Sequence, residues 1–112
     1  MELLEKIKEK VEEIHEGIQN LKSRTNFESL LHKNRLLEVE TGIDQFRDHN
    51  EIEGLRHSLD IFKQTAILVR EGSKAYDETI WDANVAVKGK MTILDSLFSE
   101  LDELVYKYIR ER

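Results

Sequence analysis

The chain has 112 residues, 36% of them charged and 39% apolar, with a formal net charge of -6 and neither cysteine nor proline. That length allows one domain or one subunit of an assembly, and the missing cysteine excludes disulfides, thiolate metal sites and cysteine nucleophiles. A negative field repels phosphate, so duplex nucleic acid is not an expected partner. The longest apolar run, residues 66–69, is far too short to span a bilayer, so no membrane partner is expected either.

The first predicted element covers about residues 2–22. Leu4, Ile7, Val11, Ile14, Ile18 and Leu21 recur at 3–4 spacing, with Glu5, Glu9, Glu12, Glu13 and Glu16 outside the stripe. Two apolar positions in seven make a narrow coiled-coil seam. The opening Met-Glu-Leu-Leu-Glu-Lys lacks the basic-then-apolar order of a signal peptide, and a cytoplasmic location is the corresponding expectation.

A break is predicted near Ser23-Arg24-Thr25-Asn26, where Thr25 and Glu28 fit a capping box. The second helix then runs over about 26–48, through Leu30, Leu31, Leu36, Val39, Ile43 and Phe46. Its spacing crosses Gly42, so the glycine is read as lying within the helix; a turn at Glu40-Thr41-Gly42 is the other reading. The next break is placed at Asp48-His49-Asn50. There the apolar phase slips, and Asp48/Glu51 or Asn50/Glu53 can cap the third helix.

From Ile52 to Tyr108 one heptad holds its phase: Ile52, Leu59, Ala66, Ser73, Ile80, Val87, Leu94, Leu101 and Tyr108, alternating with Leu55, Phe62, Val69, Tyr76, Ala83, Lys90, Leu97 and Leu104. A stripe of this kind must be buried against another helix. Helices over 51–71 and 74–111 are predicted, with a break or bend at Gly72 and with Gly89 inside the last one. The fold class is therefore all-α: an up-and-down antiparallel helical bundle, or coiled-coil hairpin, in a single domain.

Chemistry-bearing groupings are sparse. Glu12 and His15 form one Glu-x-x-His unit, but a di-iron bundle needs two such units and two further carboxylates pointing inward. His49, Glu53 and His57 share a helical face, yet the histidines are eight residues apart, not the four that suit zinc. Glu28 and His32 make an ordinary i, i+4 contact. No serine sits in a glycine elbow, and no phosphate or calcium loop is present. The chain is read as a non-enzyme without a metal or other cofactor; a metal-dependent bundle enzyme would require bound iron, manganese or zinc.

Several large apolar residues fall off the main seam: Ile67, Trp81, Val85, Ile93, Phe98, Val105 and Ile109. They point to burial on two sides, in a bundle of three or four helices. Part of that second face is a candidate protein interface, formed by Trp81, Tyr76, Ile67, Phe98 and Tyr106, since aromatic side chains dominate binding hot spots. The expected function is a small helical adaptor, assembly subunit or inhibitor working through protein contacts, with itself as one expected partner in a homo-oligomer. An inhibitor carried by a phage or mobile element, occluding a host nucleic-acid enzyme with its acidic surface, is a narrower version.

The size, acidity, absence of proline and potential for a two-armed hairpin resemble the WXG100 type of small helical secretion substrate. That family carries Trp-x-Gly at the hairpin bend, where this chain has Glu40-Thr41-Gly42. Its tail motif, Tyr-x-x-x-Asp or Glu, is replaced by Tyr106 followed by Arg110, and only Phe98-x-x-x-Asp102 is similar to it. The resemblance implies a bend near Gly42 and export without a cleaved signal.

Overall fold

The computed structural model describes residues 2–24, 33–72 and 78–111, except for the side chains of 24, 66, 68–72 and 78–91. Among the described residues four helices form: α1 (Leu3–Arg24), α2 (Lys33–His49), α3 (Ile52–Gly72) and α4 (Glu78–Arg110). The molecule is elongated, 49 Å by 22 Å by 21 Å. At 1.5 Å per residue the 33 residues of α4 span about 50 Å, so this helix runs the whole length of the bundle.

The chain closes a ring. Helix α1 packs on α2 and α4, and α3 packs on α2 and α4; among the described residues the diagonal helices bring no Cα atoms within 8 Å of each other. Every neighbouring pair is antiparallel, as the cross-contacts show. Lys22 meets Glu40 whereas Arg47 meets Glu12. On the opposite side, Gly17 lies against Leu94 and Lys10 against Glu100. The topology is up-down-up-down.

The α1 stripe of Ile7, Val11, Ile14, Ile18 and Leu21 is buried, with Leu4 packed at its edge. From α2 come Leu36, Val39, Ile43 and Phe46, and from α3 come Leu55, Leu59 and Phe62. Helix α4 adds Leu94, Phe98, Leu101 and Val105, with Leu97, Leu104 and Tyr108 partly buried beside them. Each full burial of such a side chain is worth about 1.5–3 kcal/mol, which a lone helix of this length cannot supply from its backbone alone.

Helices α2 and α3 approach most closely at small residues. The Ser58 hydroxyl donates a 2.8 Å hydrogen bond to the Val39 carbonyl from a fully buried position. A Cβ on Gly42 would collide with Ser58 Oγ and come within 2.6 Å of the Gly54 carbonyl oxygen. Gly42 is therefore interior to α2 because the crossing helix occupies the space of a side chain. The alternative turn at Glu40-Thr41-Gly42 does not form, so the bend implied by the WXG100 resemblance is absent at that position.

Only Asn50 and Glu51 separate α2 from α3. Asn50 adopts the left-handed region at φ 57°, and its N–H donates to the Phe46 carbonyl at 2.7 Å. Asparagine tolerates this conformation better than most residues and closes the preceding helix. The break falls where the apolar phase slips, but Asn50 terminates α2 through its backbone. The expected Thr25/Glu28 capping box and Glu28/His32 pair, with the start of the second helix at 26, lie outside the described residues, as does Ser73 of the heptad. Among the described residues, no helix is long and apolar enough to cross a membrane.

Candidate protein-contact face

The seam between α3 and α4 holds an open groove of about 290 Å³. Leu59 and Val105 form its buried floor, and Arg56, Asp60, Asp102, Tyr106 and Ile109 complete its walls and rim. Tyr106 is 64% exposed and Ile109 38%. Asp102, Tyr106 and Arg110 succeed one another at i, i+4 and i+8, so they share one stripe of α4. The Arg110 guanidinium lies 5.4 Å from the Tyr106 ring centre, in the range of a cation–π contact. Across the groove, Lys63 Nζ sits 3.2 Å from Asp102 Oδ2, and Arg56 is held by Glu53 at 3.3 Å.

This arrangement has the composition of a contact surface: an apolar floor, an exposed aromatic side chain, and a rim carrying both signs of charge. No nucleophile and base converge there. The carboxylates of Asp60 and Asp102 stand on opposite walls, with Lys63 already engaging Asp102.

A second polar seam joins α1 to α2. Arg47 Nε donates to Glu12 Oε1 at 2.9 Å, and Lys22 and Gln19 both reach Glu40, at 3.0 Å and 2.6 Å. The hydrogen bond to Glu12 raises the basicity of the Arg47 guanidinium above its ordinary value. Among the described residues Asp44 Oδ1 is buried without a hydrogen-bond partner, 3.6 Å from Arg47 Nη1 and 3.7 Å from His15 Nδ1. It is held by charge rather than by a directed bond. Between α1 and α4, Lys10 bridges Glu100 and Glu13. Those two hydrogen bonds, Glu100 foremost, hold its ammonium above the ordinary lysine value against the opposing effect of burial.

The Glu12/His15 pair thus belongs to an interhelical ion cluster. His57 contacts Glu38 at 3.4 Å, and Glu53 engages Arg56, so the His49, Glu53 and His57 side chains do not converge. Among the described residues, no group of three histidine or acidic side chains could hold a metal.

The five residues expected at an interface separate. Tyr106 stands on the groove rim. Ile67 is 56% exposed on the α3 edge that also carries Arg56, Asp60 and Lys63 at helical spacing. Phe98 is 3% exposed and stacks on Phe62, with ring centres 4.2 Å apart and planes 19° from parallel. It belongs to the bundle's own core, because α3 and α4 meet across that position. Trp81 lies on the first turns of α4 with its side chain outside the described residues, and Tyr76 lies outside them altogether. Of the other residues off the heptad seam, Val105 is buried whereas Ile93 and Ile109 are exposed. Apolar phase does not reveal the charged rim. The signal that could have found it is the 102–106–110 spacing in α4.

No protein-family model, curated protein or solved structure matches this chain.

Proposed function

We propose that this chain is a non-enzymatic helical protein that works by protein–protein contact through its α3–α4 face. The observation that carries this reading is the exposure of Tyr106 and Ile109 above an apolar floor, beside rim charges of both signs. Scattered exposed apolar residues are ordinary on protein surfaces. An aromatic and an aliphatic side chain side by side over a groove form the anchor-and-pocket arrangement that concentrates binding energy.

The test compares tagged wild-type protein with the Tyr106→Asp/Ile109→Glu variant. Both substitutions fall at exposed positions, so the circular dichroism spectrum and melting temperature stay near those of the wild type. Chemical cross-linking in a lysate of the source cells, followed by mass spectrometry, reads the contacts. Specific adducts formed by the wild type and lost in the folded variant support the reading. Adducts unaffected by the variant move the contact elsewhere, and an absence of specific adducts defeats it.

A further inference from the structure

We propose that the α3–α4 face pairs with the same face of a second copy, across a two-fold axis at Tyr106, so that Arg110 of each copy meets the partner's Asp102. The proposal rests on the reading of this face as the contact surface and names its occupant.

Charge favours a second copy at this face, and helix register fixes how it sits. The molecule carries a net charge of -6, so most faces of two copies repel. The outer face of α1, with exposed Glu5, Glu9, Glu12, Glu13 and Glu16, is an example. Around the groove the balance differs: Arg56, Lys63 and Arg110 stand with Glu53, Asp60 and Asp102. This is a part of the surface where a like-charged copy can approach without broad repulsion.

Helix register points to the same pairing. An isologous interface places a residue k positions before the axis opposite the partner's residue k positions after it. With two α4 helices antiparallel and the axis at Tyr106, position 102 falls opposite position 110. Asp102 then faces the partner's Arg110 at both ends, and the two tyrosine rings meet in the middle. A copy of the face is its own electrostatic complement. An axis moved by one residue in either direction would remove this match.

The face is short. From Arg56 to Ile67 is about 16 Å at the helical rise, and Asp102 to Arg110 is shorter. Pairing over such a patch buries less than the roughly 1,200 Å² of a standard stable interface. The expected dimer is weak and concentration-dependent, with a Kd between about 10 µM and 1 mM.

The experiment uses two full-length variants and sedimentation velocity over that concentration range. Arg110→Asp sets two carboxylates opposite each other at both ends of the pair, and Asp102→Arg sets two guanidinium groups there. Each variant alone is expected to dimerise at least tenfold more weakly than the wild type. An equimolar mixture is expected to recover dimer, because the contacts between unlike copies are again of opposite sign. Circular dichroism checks that both variants are folded. A separate measurement does not depend on charge: since the chain has no cysteine, Tyr106→Cys places its only thiol on the axis. Mild oxidation is expected to give a disulfide-linked dimer, whereas Glu103→Cys, off the axis, is expected to remain largely monomeric.

A wild type that stays monomeric at 1 mM overturns the pairing, as does a dimer indifferent to both charge variants or a mixture that fails to recover. If the chain is monomeric but its cross-linked adducts still depend on Tyr106 and Ile109, the face belongs to a different protein and only the self-pairing fails. If adducts and dimer are both absent, the contact reading fails with it.

Discussion

Gly42 and Gly54 stand on facing helices, yet a methyl group at each would meet different surroundings. At Gly42 it would enter space held by Ser58 Oγ, which can swing aside only by giving up its bond to Val39, and by the Gly54 carbonyl oxygen, which cannot yield without parting α2 from α3. At Gly54 the nearest atoms are the Gly42 carbonyl oxygen at 3.2 Å and the Gln45 amide oxygen at 3.4 Å, and the gap can open by a few tenths of an ångström. Alanine adds about 1 kcal/mol of helix propensity at either site. Overpacking costs about 1–3 kcal/mol. Gly42→Ala is therefore expected to destabilise, by up to about 2 kcal/mol net in urea unfolding, and Gly54→Ala to lie near zero. Equal effects at the two sites would mean that the crossing is looser than described.

The same scale separates core aromatics from surface ones. Phe98→Ala removes half of the stack with Phe62 and leaves a cavity between α3 and α4, at an expected cost of about 3–5 kcal/mol. Tyr106→Ala, at an exposed position, is expected to change stability by less than about 0.5 kcal/mol. Denaturant midpoints of the two variants check this contrast directly.

At the level of the element, the turn between α2 and α3 depends on one backbone conformation. Asn50→Val forces a β-branched side chain into the left-handed region and is expected to cost about 1–2 kcal/mol, whereas Asn50→Gly should match or slightly exceed the wild type. Thermal melts of the pair distinguish a conformational role from one played by the asparagine side chain. The positions of the elements are largely legible in the amino-acid sequence. The α1 stripe from Ile7 to Leu21, the α2 stripe from Leu36 to Phe46 and the break before Glu51 all follow from apolar phase and helix-stop residues, whereas the expected break after Gly72 falls on residues outside those described. The width of the buried arc is not legible there. A heptad marks the centre of a buried face, but a helix wedged between two neighbours buries positions on both sides of it. This is why Phe98 and Val105 go inside while Ile93, Ile109 and Tyr106 stay out, although all five are apolar or aromatic. Nor can periodicity assign Ser58, a polar residue, to full burial; only the neighbouring Val39 carbonyl explains it.

For the whole molecule, ion pairs tie the ring together at its seams, and Lys10 gives them a pH signature. Its ammonium is more basic in the folded bundle than the ordinary lysine value of 10.5, chiefly through hydrogen bonds to Glu100 and Glu13. A group whose folded pKa is raised contributes stability that is complete below its unfolded value and lost as pH rises through the folded one. As pH rises through and above the ordinary lysine value, wild-type protein is thus expected to lose more stability than Lys10→Met, measured as urea midpoints along that rise. A wild type and variant that lose stability in parallel as the pH rises would mean that the ammonium does not carry the contact.

The two-residue connection through Asn50 and Glu51 also bears on the order in which the molecule assembles. Joining α2 to α3 closes almost no loop and so carries little entropic cost, whereas docking α1 on α4 brings together segments about 90 residues apart, such as Lys10 and Glu100. The inner hairpin is accordingly the natural nucleus, with the outer helices arriving afterwards. Substitutions at Ser58 should slow folding, and those at Leu94 should chiefly hasten unfolding.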